Sequence, residues 1–256
     1  MLPTFDLLGF TLPSFPLFLL AALSISLLVL AKSSTVSFSQ KDFILRSLPL
    51  VLISAALGGR VLFAFSSSDS LSSFLYALIH GGEVYYGCLF GGALCLSALC
   101  RKANISILET FDACCLSLPL AQAVGRIGCF FNGCCYGIEY SGPFAIPYPI
   151  GGSVMTVAPT WFLESAGCTL LFFALRQVHA RRNSGETTCT YLILYATLRF
   201  AIEFLRGDAI RGFIGPLSTS QAISCAVVIG VLLYWGAKRF QETQTMRKRR
   251  NHERVA

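Results

Sequence analysis

Six ionisable residues interrupt runs that are otherwise apolar: Arg60, Glu109, Asp112, Glu164, Arg199 and Glu203. Arg126 lies just beyond one such run, and Arg206 closes another. A charged side chain in apolar surroundings is costly and marks a functional site by default. A guanidinium is always charged, and its fork matches a phosphate through two parallel hydrogen bonds. Several arginines in this setting therefore point to an anionic ligand. Tyr195, Arg199, Ile202 and Arg206 fall at i, i+4, i+7 and i+11, so they share one helix face. A phenol and two guanidiniums in one stripe suit a lipid headgroup. The same spacing also lets Arg199 pair with Glu203 at i+4. Spacing alone leaves both readings open.

The segment VGRIGCFFNGCCYG, residues 124–137, is the second dense feature. Its four glycines let the backbone turn tightly or approach a ligand. Arg126 opens it, and Asn132 offers both donor and acceptor atoms. Cys129, Cys134 and Cys135 lack the C-x2-C spacing of zinc sites and have no histidine nearby, so no metal site is assigned to them. A disulfide among them stays open, because this segment is expected on an oxidising side. Most of the other eight cysteines sit in or beside apolar runs, where cysteine acts as a small hydrophobe. Of the three histidines only His80 is placed near this face, with no signature of a Ser-His-Asp or Cys-His arrangement around it.

The elements that must position these residues follow from composition. Only 13% of the 256 residues are charged and 54% are hydrophobic. A soluble domain carries about 25% charged residues. The mean hydropathy of +0.65 excludes a water-soluble globule, and the low charge excludes a disordered chain. A helix needs roughly 20 mainly apolar residues to cross a bilayer. Seven stretches qualify as spans, at residues 7–31, 43–65, 84–100, 105–124, 160–175, 187–205 and 212–237. No basic residue precedes Lys32, unlike the start of a signal peptide, so the first span is expected to be retained.

Alternate loops carry the basic charge. Lys32 and Lys41, Arg101 and Lys102, and Arg176, Arg181 and Arg182 fall on one side. Lys238, Arg239, Arg247, Lys248, Arg249, Arg250 and Arg254 join them, making fourteen of the 20 basic residues. The positive-inside rule then predicts an all-α integral membrane fold of seven transmembrane helices, with the N-terminus outside and the C-terminus cytoplasmic. The formal net charge of +7 is therefore a topology signal and not a nucleic-acid footprint. The tail RKRRNHER reads as an anchor to anionic lipid. Residues 66–83 are expected to lie along the interface. Residues 125–159, rich in Gly, Pro, Tyr and Cys, form a small extracytoplasmic loop region; long loops in compact folds are usually functional. A single membrane domain, residues 1–240, precedes a basic cytoplasmic tail, residues 241–256.

Seven short motifs, in chain order, resemble those of the bacterial prolipoprotein diacylglyceryl transferases. Gly58-Gly59-Arg60 is similar to that family's G-(A/G)-R, and the run from Gly81 to Gly87 to its G-G-x-x-F-(H/Y)-G. Asp112, Pro119 and Gly125-Arg126-Ile127-Gly128 match D-x6-P-x5-G-R-x-G, continued by Phe131-Asn132-Gly133. Pro159 to Glu164 resembles H-P-(S/T)-Q-L-Y-E, and Tyr195 to Arg206 resembles Y-x3-R-F-x2-E-x2-R. Leu217 to Gln221 is similar to L-S-M-G-Q. The chain departs from the family where Cys129 replaces an Asn, Cys134 a Glu and Tyr86 a His. Ala158 and Trp161 stand for the His and Gln of H-P-x-Q, and the first span lacks the family's tyrosine-bearing helix. This resembles a divergent branch.

The resemblance implies a multi-pass enzyme of the bacterial cytoplasmic (inner) membrane. It would transfer the diacylglyceryl group of phosphatidylglycerol to the thiol of a lipobox cysteine in a prolipoprotein signal peptide, releasing glycerol-1-phosphate. Its partners are these two substrates and membrane lipid, with no nucleic acid, no metal and no organic cofactor. A thiol attacks only once deprotonated, and an alkyl phosphate leaves only if its charge is stabilised. Arg126 and Arg199 are therefore assigned to the phosphate, with Arg206 on the same stripe. Tyr195 and Asn132 orient the headgroup. Glu164 and Glu203 are read as orienting the arginines. Tyr86 either assists proton transfer or only positions, since a phenol near pKa ~10 is a weak base at neutral pH. Arg60 either holds lipid or braces the fold. Two other readings remain: a related membrane transferase with another lipid donor or thiol acceptor, and an inactive protein that binds anionic lipid.

Overall fold

The computed structural model describes residues 4–7, 10–150, 152–181, 184–207 and 212–253. Arg182 and Arg254, two of the residues in the predicted charge bias, lie outside that set, as do the side chains of Arg239 and of the tail from residue 241 onward. The chain is mostly helical. A short hairpin, β1 (Thr4–Leu7) and β2 (Phe10–Pro13), leads into α1 (Ser14–Lys32). Then follow α2 (Phe38–Ser67), α3 (Leu71–His80), α4 (Tyr85–Ala103) and α5 (Ile107–Asn132). A second hairpin, β3 (Ile146–Ile150) and β4 (Ser153–Val157), precedes α6 (Thr160–His179) and α7 (Glu186–Glu203). A third, β5 (Phe213–Ile214) and β6 (Leu217–Ser218), opens into α8 (Thr219–Glu253).

Each predicted span overlaps one of these helices, and several boundaries differ. The first helix begins at Ser14, not at residue 7, because Pro13 is extended (φ −64°, ψ 133°) and residues 4–7 pair with residues 10–13. Pro16 is tolerated because the first-turn N–H groups of a helix have no intrahelical partner. The seventh begins at Thr219, since residues 213–218 turn back through Gly215 at φ +61°. The fourth runs on to Asn132, so the first eight residues of the expected loop are helical. Gly128 serves packing there: a Cβ on it would sit 2.7 Å from Cβ of Phe18 on α1. Gly133, at φ +80°, then ends the helix in a left-handed cap.

Among the described residues four helices, α1, α2, α5 and residues Thr219–Lys238 of α8, are long and apolar enough to cross a membrane. A fifth span results if α3 and α4, bent by 81° at their break, count as one. Large apolar side chains on α2, among them Leu50, Ile53 and Leu57, face outward, as a lipid-facing helix requires. The chain is thus a multi-pass membrane protein. The α3 helix, in the 66–83 segment, exposes Leu71, Leu75, Tyr76 and Ile79 and is started by a Ser70/Ser73 capping box.

Two packing devices organise the bundle. On α2 and α4, Gly58 and Gly87 face each other so closely that a Cβ on either would collide with the other's carbonyl oxygen. Small residues allow this approach, which explains why the third span is rich in glycine. On α5, the Asp112 carboxylate is buried and caps α7. It accepts hydrogen bonds from Gly185 N (2.6 Å), Thr188 N (2.8 Å) and Thr188 Oγ1 (2.6 Å). An anion at a helix N-terminus satisfies orphan N–H groups and the helix dipole together. Glu109 is equally local: its backbone N–H donates to the N-cap Ser106, and its carboxylate accepts from Gln40 of α2 at 3.1 Å.

Asp112→Ala should lower stability by about 1–3 kcal/mol, the usual effect of leaving buried donors unmade, seen as a reduced melting temperature in detergent. Gly87→Leu should separate α2 from α4 and raise protease sensitivity at the α3–α4 turn, whereas Gly230→Leu, where nothing lies within 4 Å of the added Cβ, should not.

Candidate active site

The α5, α6 and α7 helices share a core of Cys115, Leu116, Ala123, Cys168, Leu171, Leu175, Tyr191 and Tyr195. At one end of this core lie the charges. Arg126 of α5 pairs with Glu164 of α6, Nη2 to Oε1 at 2.9 Å. Arg199 of α7 pairs with Glu203 one turn on, Nη2 to Oε2 at 2.7 Å. Arg199 and Glu203 are 6% and 2% exposed, and Glu164 is 3% exposed. A buried charge needs such a partner, since desolvation of a lone ion is prohibitive.

The two ion pairs flank Tyr195, whose phenol feels the charges of Glu164, Arg126 and Arg199 together. Tyr195 stacks on Tyr191 with ring centroids 5.7 Å apart. Tyr85 meets Tyr195 edge-on at 5.7 Å, and its hydroxyl accepts a hydrogen bond from Gln122 Nε2 at 2.5 Å. The next residue, Tyr86, is buried, and its hydroxyl hydrogen-bonds Ser224 of α8 at 2.8 Å. The start of α8 also reaches Arg199, which donates from Nη2 to Ser220 Oγ at 3.2 Å. Ser218 and Gln221 cap that helix reciprocally, at 3.0 and 3.2 Å. Arg199 Nη1 is buried and has no hydrogen-bond partner among the described residues.

Beyond α5 the chain folds back over the site. Arg206 bridges Gly137 through the backbone, and Gly207 N donates to Tyr136 O at 3.0 Å. A side chain at Gly137 would strike the Ala158 carbonyl, so only glycine fits this crossing. Trp161 donates from Nε1 to Cys134 O at 2.6 Å and packs its ring on Tyr148, centroids 4.8 Å apart. Arg126 Nη1 also contacts Cys135 Sγ at 4.0 Å, and Asn132 Nδ2 contacts Cys134 Sγ at 3.9 Å. Hydrogen bonds from the Cys129 and Cys134 thiols, helped by the charges of Arg206 and Arg126, hold the Cys135 thiol below its ordinary range against the opposing effect of burial. Burial pushes the Tyr148 phenol up. A cavity of about 310 Å³ opens alongside, lined by Tyr136, Gly137, Met155 and Gly207 among others.

Of the residues singled out in the sequence, Arg126, Glu164, Tyr195, Arg199 and Glu203 come together with Tyr86 and the start of α8. Asn132 and Arg206 border them through the cysteine turn. Arg60 contacts a different set: it donates from Nη1 to Ile79 O at 2.9 Å and faces Glu83 at 3.7 Å, tying α2 to the α3–α4 turn. Sequence reasoning missed Tyr85, Gln122 and Tyr191, which hold Tyr195. It also missed the brace from Trp161 and Tyr148. Nothing in linear spacing joins α4 to α7; the only hint was the number of tyrosines near apolar runs.

Comparison with known proteins gives the same direction. The family model described as prolipoprotein diacylglyceryl transferase matches residues 3–236. Phosphatidylglycerol–prolipoprotein diacylglyceryl transferase 2 of Clostridium perfringens is 34% identical over 215 residues, covering 81% of this chain and 84% of that protein. The phosphatidylglycerol–prolipoprotein diacylglyceryl transferase of Clostridium tetani is 32% identical over 90% of this chain and 95% of its own. That of Finegoldia magna is 35% identical over 75% and 76%. With a match along nearly its whole length, this chain belongs to the prolipoprotein diacylglyceryl transferase family.

Proposed function

We propose that this chain transfers the diacylglyceryl group of phosphatidylglycerol to the thiol of a prolipoprotein lipobox cysteine, the first step of lipoprotein maturation. The observation that carries the reading is Arg199 Nη1, a buried donor without a partner among the described residues. Such a donor is costly unless an acceptor arrives. Here the acceptor is a phosphate oxygen of the lipid. Arg199 is held by Glu203 and Ser220, Arg126 by Glu164, and the positive end of the α8 dipole adds to their field.

In the reaction the acceptor thiol gives up its proton to solvent, its sulfur bonds to the glyceryl carbon, and the carbon–oxygen bond to phosphate breaks. Glycerol-1-phosphate leaves with the electron pair. Negative charge grows on the phosphate, so Arg126 and Arg199 act where charge develops. Tyr195 and Asn132 orient the headgroup, and Arg206 extends the cationic stripe. Glu164 and Glu203 keep the guanidiniums aimed. Tyr86, fixed by Ser224, positions the lipid at the α8 side.

The membrane arrangement that suits this chemistry has seven spans, α1, α2 and α4 to α8, with α3 along the interface. The N-terminus and the 125–159 region face outward from the bacterial inner membrane. The basic end of α8 lies at the cytoplasmic face, forming a tail after residue 240 of a single domain.

In membranes supplied with labelled phosphatidylglycerol and a lipobox peptide, Arg126→Ala and Arg199→Ala should each reduce transfer by about 10²–10³-fold, the usual loss for a removed charge-stabilising donor. Full activity in both variants would overturn the assignment. Transfer of label with none on the peptide would show a different acceptor. Arg199→Lys should recover only part of the loss, because an ammonium lacks the planar fork. Glu203→Gln and Glu164→Gln should fall between wild type and the arginine variants, read from the same assay.

A further inference from the structure

The three cysteines of the 124–137 segment are not scattered. Their sulfur atoms all lie within 4.8 Å of one another. Cys129 sits in the last turn of α5. Two left-handed residues, Gly133 (φ +80°) and Cys135 (φ +61°), then reverse the chain. Cys134 returns over the helix end, its N–H donating to Cys129 O at 3.2 Å. The carbonyls on either side of the turn are pinned from α6: Cys134 O accepts from Trp161 Nε1 at 2.6 Å and Cys135 O from Thr160 Oγ1 at 3.2 Å. A left-handed backbone at a non-glycine residue is strained. These contacts maintain it and keep the thiols converged.

We propose that Cys129, Cys134 and Cys135 form a three-thiolate site for a soft d10 cation of the Zn(II), Cd(II) and Cu(I) class. The donor set is all sulfur, which selects soft, thiophilic ions. Metal–sulfur bonds of ~2.3 Å place three sulfurs about 4 Å apart, so closure needs a shift of about 1 Å or less per atom. Each thiol releases its proton to solvent as the ion binds, and no electrons are exchanged. Three thiolates around Zn(II) leave one net negative charge, and the arginine beside them compensates it: Arg126 Nη1 is 4.0 Å from Cys135 Sγ. Asn132 Nδ2, 3.9 Å from Cys134 Sγ, supplies the outer donor that thiolate ligands commonly receive. A packed wall of Phe130, Tyr148, Val157 and Trp161 shields the cluster. Three protein ligands leave the fourth position of a tetrahedral ion for an outside ligand.

The binding claim stands on this geometry alone. A second consequence rests on the transferase reading above: an ion beside Arg126 draws that guanidinium toward the sulfurs and slows transfer.

The test uses the full chain, purified in detergent and reduced without thiol reagents, and titrated with Cd(II). The thiolate-to-metal absorption band should saturate at one more equivalent in wild type than in the Cys129→Ser/Cys134→Ser/Cys135→Ser variant, the remaining cysteines giving the same background in both. Each single Cys→Ser change should weaken that equivalent by at least about tenfold. Zn(II) should raise the melting temperature of wild type and leave the triple variant unmoved. The melting curve of the ion-free triple variant checks that it is folded, and should it not be, the single variants carry the comparison. Equal uptake by wild type and variants would overturn the site. So would a mass spectrum showing a disulfide between any two of the three after anaerobic purification. Binding of one equivalent without slower transfer would support the site and overturn the placement of Arg126 in the reaction.

Discussion

Burying guanidinium groups between apolar helices is the constraint on which the rest of this structure depends. An ion taken out of water loses several kcal/mol of solvation, and only an opposite charge at contact distance restores it. Arg126 and Arg199 each meet a carboxylate within 3 Å. For Arg199 the partner comes from its own helix. For Arg126 it comes from α6, so the α5–α6 contact is required before the charge is tolerable. The helices, the hairpin loops and the aromatic packing around Tyr195 can be understood as the frame that holds these pairs at fixed positions.

That frame is built from different forces at its two ends. Toward the site, aromatic stacking and hydroxyl hydrogen bonds among Tyr85, Tyr191, Tyr195 and Gln122 lock the side chains. At the other end of α7, Asp112 secures the first turn by accepting its backbone N–H groups. The side chains of Asp112 and Glu203 are both buried acids in apolar stretches, yet they work differently. One completes a helix end, and the other completes an ion pair. An ionisable residue inside an apolar run is therefore a clue to function only after its hydrogen bonds are known.

The cysteine turn follows a similar logic. Cys129, Cys134 and Cys135 match no metal-binding spacing when read along the chain. Two left-handed residues and a tryptophan from a different helix bring their sulfurs together. Two of the three thiols, Cys129 and Cys134, stand at positions where the sequence departs from the motifs it resembles, and both lie in the turn beside Arg126. Chemical softness replaces oxygen and nitrogen donors there.

Much of the architecture was legible from residue order, because membrane insertion reads local properties: apolar length, charge and hydrogen-bond self-sufficiency. The helices fall where the apolar runs are, the 66–83 segment holds the short amphipathic helix, and the i+4 pair of Arg199 and Glu203 was visible as spacing. Errors came where local rules compete. Residues 7–31 are apolar enough for a span, yet Pro13 and the pairing of residues 4–7 with 10–13 hold the helix start back to Ser14. Glycines at 125 and 128 suggested a loop, yet one of them admits Phe18 and the helix continues. The sequence by itself determined which residues are charged, apolar or small and which share a helix face. Only the tertiary structure decided that Arg126 meets Glu164, that Tyr85 supports Tyr195 and that three thiols converge. Those contacts join residues far apart in the chain, and their geometry is set by how helices pack, which no local pattern encodes.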